Sequence, residues 1–195
     1  MKLYLAGPEV FLPDAMNIGK VKRELCRRHG FIGLFPLDNE NNTAEGENLP
    51  KSIFDGNIAM LDDADAILAN LTPYRGVSAD AGTIFEVGYG YARGKKVFGY
   101  SNSRTPFIER VRRFVGGDIK KGPDGRLYAA DDLAVEDFDR FDNLMIAEAL
   151  LASGANVVLH EAAPADLWRD TRAFEETLVL IRETVATSTR RAVAR

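Results

Sequence analysis

Two acids six positions apart, Asp80 and Glu86, are the residues of this sequence best placed to do chemistry. Glu86 lies among Ile84, Phe85 and Val87 and is followed by Gly88, Gly90 and Ala92, a run that reads as a helix able to lie close on a sheet. A carboxylate in such surroundings is costly unless something uses or satisfies it. The plain alternative is a partly exposed helix glutamate paired with Arg75 or Arg93. Asp80 has its own plain reading as an N-cap, where aspartate is favoured, and from there its side chain can still reach toward Glu86. Two carboxylates converging on one pocket suit reaction at the anomeric carbon of a sugar, where one attacks or stabilises positive charge. The helix dipole and nearby donors are expected to keep the nucleophile ionised.

Ile53, Phe54, Met60 and Leu61 lie at i−4, i−3, i+3 and i+4 from Asn57, placing its amide on the apolar face of a helix. Such a group must bond to backbone, water or a ligand, so a structural and a ligand role are both open. Tyr4 occupies an otherwise apolar strand, and Gly7-Pro8 after it permits close approach of a ligand to the backbone. Glu9 and Asp14 flank the next helix start with negative charge, which disfavours phosphate at that helix N-terminus. With no GxGxxG fingerprint and no P-loop, dinucleotide and nucleoside triphosphate readings lose support.

The elements that must position these residues alternate as short apolar runs and longer helical patterns, the rhythm of a parallel sheet covered on both faces. Strands are expected near 3–6, 31–35, 66–70, 97–100 and 156–159. They predict an α/β, flavodoxin-like doubly wound sheet of five parallel strands in a single domain, 1–195. Ile18, Val21, Leu25 and Cys26 recur at helical spacing, with Pro13 and Asp14 to open that helix and Gly30 to close it. Helices follow over about 50–61, 81–92 and 143–151, and a last one over about 164–186 carries Leu167, Phe174, Leu178 and Ile181 as its stripe. The strand at 66–70 delivers TPYRGVSAD to the carboxyl edge of the sheet, where the next helix presents its positive end.

Two segments depart from this pattern. DNENNTAEGEN, 38–48, is a polar loop at a strand's carboxyl end, where open α/β sheets bind ligands. Residues 101–142 form a loop excursion with a basic stretch, ERVRRF, and a Pro-Asp-Gly turn. Either reads as a mobile flap or as a solvated loop, and the tail 187–195 is expected to fray.

The 195 residues, 46% hydrophobic and 28% charged, suffice for one globular domain with a sizeable core. Lys and Arg total 25 against 29 Asp and Glu, and the resulting −4 opposes the field that draws proteins to nucleic acid or anionic membranes. A lone cysteine, Cys26, excludes an intrachain disulfide, and with only His29 and His160 no metal site is expected. The opening MKLYLAGPEVFLPD lacks the apolar core of a signal peptide and no run is long enough to span a membrane, so a cytoplasmic location is expected.

YLAGPEVF at the start, FPLDNE at 35–40, ADAILANLTPYRGVSADAGTIFEVGYGYARGKKV at 64–97 and DNLM at 142–145 together resemble the nucleoside 2-deoxyribosyltransferases. The resemblance implies a flavodoxin-like fold and a ping-pong transfer of 2-deoxyribose between nucleobases, with no cofactor. It implies that Glu86 is the nucleophile, that Tyr4 positions it, and that Asp80 binds the sugar hydroxyls. Gly7, Pro8 and Glu9 then contact the base, with Phe11 as an aromatic wall. Asn143 and Met145 match a segment that completes a neighbouring subunit's site, which implies a homo-oligomer. Asn57 aligns with a position that is aspartate in some members and tied there to protonating the base. An amide cannot serve as that acid, leaving Asp62, Asp63 or water, or a hydrogen bond to the base edge.

Two other functions compete. A deoxynucleoside 5′-monophosphate N-glycosidase shares the fold and the nucleophilic glutamate but must hold a phosphate, for which Arg75 and ERVRRF are the available cations. A non-catalytic nucleotide-sensing module on the same sheet has no need of a glutamate on an apolar helix face beside Asp80 and Tyr4.

Overall fold

The structure is a computed structural model that describes residues 1–38, 48–154 and 156–193. Its centre is a five-stranded parallel sheet of β1 (Lys2–Ala6), β2 (Ile32–Leu34), β3 (Ala66–Asn70), β4 (Lys96–Ser101) and β8 (Val158–Leu159), in the order β2-β1-β3-β4-β8. All four pairings are parallel, with Tyr4 opposite Leu34 on one side and Ile67 on the other. The expected five-stranded, doubly wound α/β fold is therefore observed. Every residue of β3 is buried, as both-face coverage requires.

Alternation along β1 divides the core. Leu3 and Leu5 face α1 (Ala15–Arg28) and α6 (Arg172–Val193), packing with Leu25, Phe174, Leu178 and Ile181. Tyr4 and Ala6 face the opposite layer, packing with Leu61 of α2 (Leu49–Asp63), Val87 of α3 (Ala81–Ala92) and Leu150 of α5 (Leu144–Ala152). That parity decides which helix Tyr4 can touch. Among the small residues of α3, Gly90 meets the sheet, since a Cβ there would overlap Ile67, while a Cβ at Gly88 would meet none of the described residues within 4 Å.

Three expectations change. The buried stripe of α1 contains Lys22, 3% exposed, whereas Val21 is 39% exposed. Leu167 lies outside the last helix: Pro164–Asp166 forms a 3-10 turn, and α6 begins at Arg172, whose N–H is accepted by Asp170 at 3.0 Å. The 101–142 excursion is not a plain loop. It contains α4 (Phe107–Val115) and a small antiparallel sheet of β5 (Lys120–Lys121), β6 (Leu127–Tyr128) and β7 (Ala134–Val135). The Pro-Asp-Gly turn closes the β5–β6 hairpin, with Gly125 at φ 84°. Of the polar loop at 38–48, residues 39–47 lie outside the described residues. Asp38 belongs to a 3-10 turn and pairs with Arg23. Among the described residues, no helix is long and apolar enough to cross a membrane.

Candidate active site

A cleft of about 330 Å³ opens at the carboxyl edge of the sheet, the ligand-binding edge of open parallel sheets. Its size is at the small end of ligand pockets. Gly7, Val10 and Phe11 line it after β1, and Pro36 and Leu37 after β2. Opposite stand Ile53 and Asn57 of α2, then Asp80, Gly82, Thr83 and Glu86 at the start of α3. A second hollow of about 320 Å³, walled by Phe54, Ile58, Leu61 and Phe85, shares Ile53, Asn57, Gly82 and Glu86 with it.

Tyr4 is fully buried, and its hydroxyl donates to Glu86 Oε1 at 2.6 Å. This replaces the surface pairing considered for Glu86: Arg93 binds Asp62 at 3.1 Å, and Arg75 stacks on the Tyr74 ring at 4.9 Å. Burial pushes the Glu86 carboxyl up to about 7; the Tyr4 bond lowers it, and the charge of Asp80 raises it. The expectation that dipole and donors hold Glu86 well ionised is thus not met. Glu86 is the sixth residue of α3, beyond the first turn where the dipole acts, so desolvation prevails. Burial and the Glu86 charge hold Tyr4 far above its ordinary range, so it remains a donor.

Asp80 is the helix cap that its position suggests, and it also reaches the cleft. As N-cap of α3 its Oδ2 accepts from Thr83 N at 3.0 Å and Thr83 Oγ1 at 3.2 Å, and the residue lines the cleft beside Glu86. Asn57 also reaches the cleft, and its Oδ1 is buried with no hydrogen-bond partner among the described residues. Phe11 stacks on Tyr74 at 5.5 Å, and Trp168 meets Tyr74 edge-on at 5.8 Å, giving an aromatic wall three residues deep.

The structure therefore brings Tyr4, Gly7, Phe11, Asn57, Asp80 and Glu86 together, but not every expected residue. Pro8 opens a 3-10 turn and does not line the cleft. Glu9, 1% exposed, turns inward: its Oε1 pairs with Lys22 and accepts from Asn70 Nδ2 and the Tyr100 hydroxyl, both at 2.8 Å. Gly7 is required by this arrangement, because a Cβ there would collide with Glu9 Oε2. Asp14 is paired with Arg169 at 2.7 Å. With both acids compensated, their charge no longer argues against phosphate. Asn143 caps α5, its Oδ1 accepting from Met145 N at 3.1 Å and its Nδ2 donating to Glu136 at 3.0 Å. Met145 is 73% exposed, and neither residue lines the cleft of its own chain.

A family model described as nucleoside 2-deoxyribosyltransferase matches residues 3–145. The chain belongs to this family. It is 32% identical to a solved 2-desoxiribosyltransferase from Leishmania mexicana, covering 84% of this chain and 92% of that one with a TM-score of 0.60. An uncharacterized protein of Schizosaccharomyces pombe is 29% identical over 169 residues, 80% of each chain. A conserved protein from Enterococcus faecalis, 18% identical with a TM-score of 0.52, shares the fold.

Within this deoxyribosyltransferase fold, several residues escaped sequence reasoning. Pro36 and Leu37 belong to FPLDNE, where nothing in the sequence assigns them a role, and Tyr74 and Trp168 stand too far from Phe11 in sequence to announce a stack. Asp142 of DNLM is buried and bonds Ser78, Ala79 and Asn143, contacts that its sequence neighbours do not suggest. The missed signal was an acid placed directly before an apolar helix. Asp62 and Asp63, considered as proton donors, sit outside the cleft in ion pairs with Arg93 and Lys2. Among the described residues no group of three or more His, Cys, Asp or Glu converges as metal ligands do.

Proposed function

We propose that the protein transfers 2-deoxyribose between nucleobases, with Glu86 as the nucleophile. The observation that carries this reading is the bond from buried Tyr4 to Glu86 Oε1, which fixes the carboxylate at the cleft wall with a donor that does not titrate in the working range. Family membership and the named activity of the Leishmania relative support it.

In the first half-reaction a Glu86 oxygen bonds to C1′ as the C1′–N bond breaks, and the base leaves with that electron pair and takes a proton from water. Positive charge at C1′ develops between Glu86 and Asp80, where it is stabilised in a partly dehydrated site. In the second, a nitrogen of the incoming base displaces Glu86 and loses its proton. Two displacements retain configuration. Asp80 holds the sugar hydroxyls. Asn57 Oδ1, buried without a partner among the described residues, accepts from an N–H on the base edge, which stacks on Phe11. A neutral nucleoside suits the cleft because, among the described residues, its charged lining is acidic, Asp80 and Glu86. A second copy of the chain completes the site, a role that the exposure of Met145 and of Phe54 and Phe85 beside the second hollow supports. One buried cysteine suits a reducing cytoplasm.

The test incubates the protein with deoxyinosine and free adenine and follows deoxyadenosine by chromatography. Exchange that disappears in Glu86→Ala supports the reading. No exchange alongside hydrolysis of deoxynucleoside monophosphates gives the site to the glycosidase alternative.

A further inference from the structure

The segment that joins β3 to α3 sets where Asp80 stands. It turns at Arg75, whose φ of 51° is unusual for a residue with a side chain, and closes with one backbone bond from Tyr74 N to Ser78 O at 3.0 Å. Its downstream half is tied from outside. Asp142, buried at the end of the 101–142 excursion, accepts on Oδ1 from the Ser78 hydroxyl and on Oδ2 from Ala79 N at 3.3 Å. The same carboxylate accepts from Asn143 N at 2.8 Å and pairs with Arg110 Nη1 at 3.5 Å. Arg110 is itself fixed, since Nη2 donates to the Phe141 carbonyl and its guanidinium lies over the rings of Phe107 and Phe141 at 5.5 and 4.8 Å.

We propose that Asp142, held by Arg110 of α4, is a positioning residue that anchors Ser78 and Ala79 so that Asp80 stands beside Glu86 in the cleft. This rests on the transfer reading, in which Asp80 holds the sugar. The capping bond to Thr83 fixes the Asp80 carboxylate relative to α3, but not the path of the backbone that leads into the helix. The Asp142 tether supplies that second constraint, and displacements of about 1 Å are enough to lower rates a hundredfold. The excursion thereby becomes part of the catalytic framework, with α4 carrying the counter-charge that lets an acid be buried behind the site.

Titration of Glu86 reports the position of Asp80 without requiring turnover. The groups facing Glu86 are Tyr4 from β1 and Asp80 at the head of α3, with uncharged Asn57 from α2 beside them. The experiment follows ¹³C-carboxyl shifts of Glu86 against pH, assigned with Glu86→Gln, in the full chain and in the Ser78→Ala and Asp142→Asn variants. Ser78→Ala leaves the Asp142–Arg110 pair intact, so it reports even where Asp142→Asn fails to fold. Loosening the tether lets Asp80 withdraw and water approach, and both lower the midpoint, by roughly half a pH unit. Exchange kcat falls about tenfold in the same variants. An unchanged midpoint in folded Ser78→Ala overturns the assignment and leaves Asp142 a purely structural acid. If the unaltered protein exchanges no base, the transfer reading fails, while the midpoint still decides the role of Asp142.

Discussion

Tyr4 and Glu86, 82 residues apart in the chain, meet at 2.6 Å because the strand parity that buries Leu3 and Leu5 on one face turns Tyr4 to the face that α3 covers. The strand supplies the donor and the helix supplies the acid.

Tyr4→Phe deletes the interaction that lowers the Glu86 pKa, so the acid limb of the rate profile, expected near pH 7, should move upward. The loss of kcat is expected to be about 10–100-fold at pH 6.5 and smaller at pH 9, where Glu86 ionises without help. Rate profiles of both proteins over pH 5.5–9.5 check this. A uniform loss across that range contradicts it.

Glu86 also couples stability to pH. Its carboxyl titrates near 4.5 in an unfolded chain and near 7 in the fold, so between these values the folded protein keeps a proton that the unfolded one has lost. Its contribution is therefore best in acid and declines as pH rises through 7. Glu86→Gln removes this burden and is expected to stabilise the protein by about 1–3 kcal/mol at pH 8.5, the upper end reduced for partial exposure, with little change at pH 4.5. Urea unfolding at the two pH values measures the difference.

Lys22 is the cation of a buried ion pair whose acid, Glu9, has three partners on one oxygen. Lys22→Met strands that charge and is expected to lower stability by about 3–5 kcal/mol. Adding Glu9→Gln should recover much of the loss. Denaturation of the single and double variants tests the pairing, and independent, additive effects contradict it.

Two glycines of α3 separate propensity from packing. Gly88→Ala places a methyl where none of the described residues lies within 4 Å and should stabilise the helix by up to about 1 kcal/mol. Gly90→Ala drives a methyl into Ile67 and should destabilise by about 1–3 kcal/mol, with lowered exchange because Glu86 rides on the displaced helix. Thermal melts of the two variants should shift in opposite directions.

The central sheet and most of its helices were legible because their apolar spacing is long enough to declare a period. The strands β5, β6 and β7 are two residues each and show no alternation, and α4 reads as solvated charge because its buried member is Arg110. Glu86, Asp80 and Tyr4 stood out as polar groups in apolar surroundings. Glu9 reads as a cleft acid because sequence does not say which charges meet. Lys22, at i+4 from Ile18 and i−3 from Leu25, already marked a cation on a buried stripe that needed a carboxylate.

The cleft draws its walls from two kinds of element. Tyr4 and Glu86 stand on β1 and α3, whereas Phe11, Pro36 and Leu37 come from the short turns after β1 and β2. In the proposed reaction the nucleophile and its donor thus sit on the rigid frame, and part of the cleft lining sits on exchangeable connections. Grafting those turns from a relative is therefore expected to reshape the cleft lining while leaving the Tyr4–Glu86 pair in place.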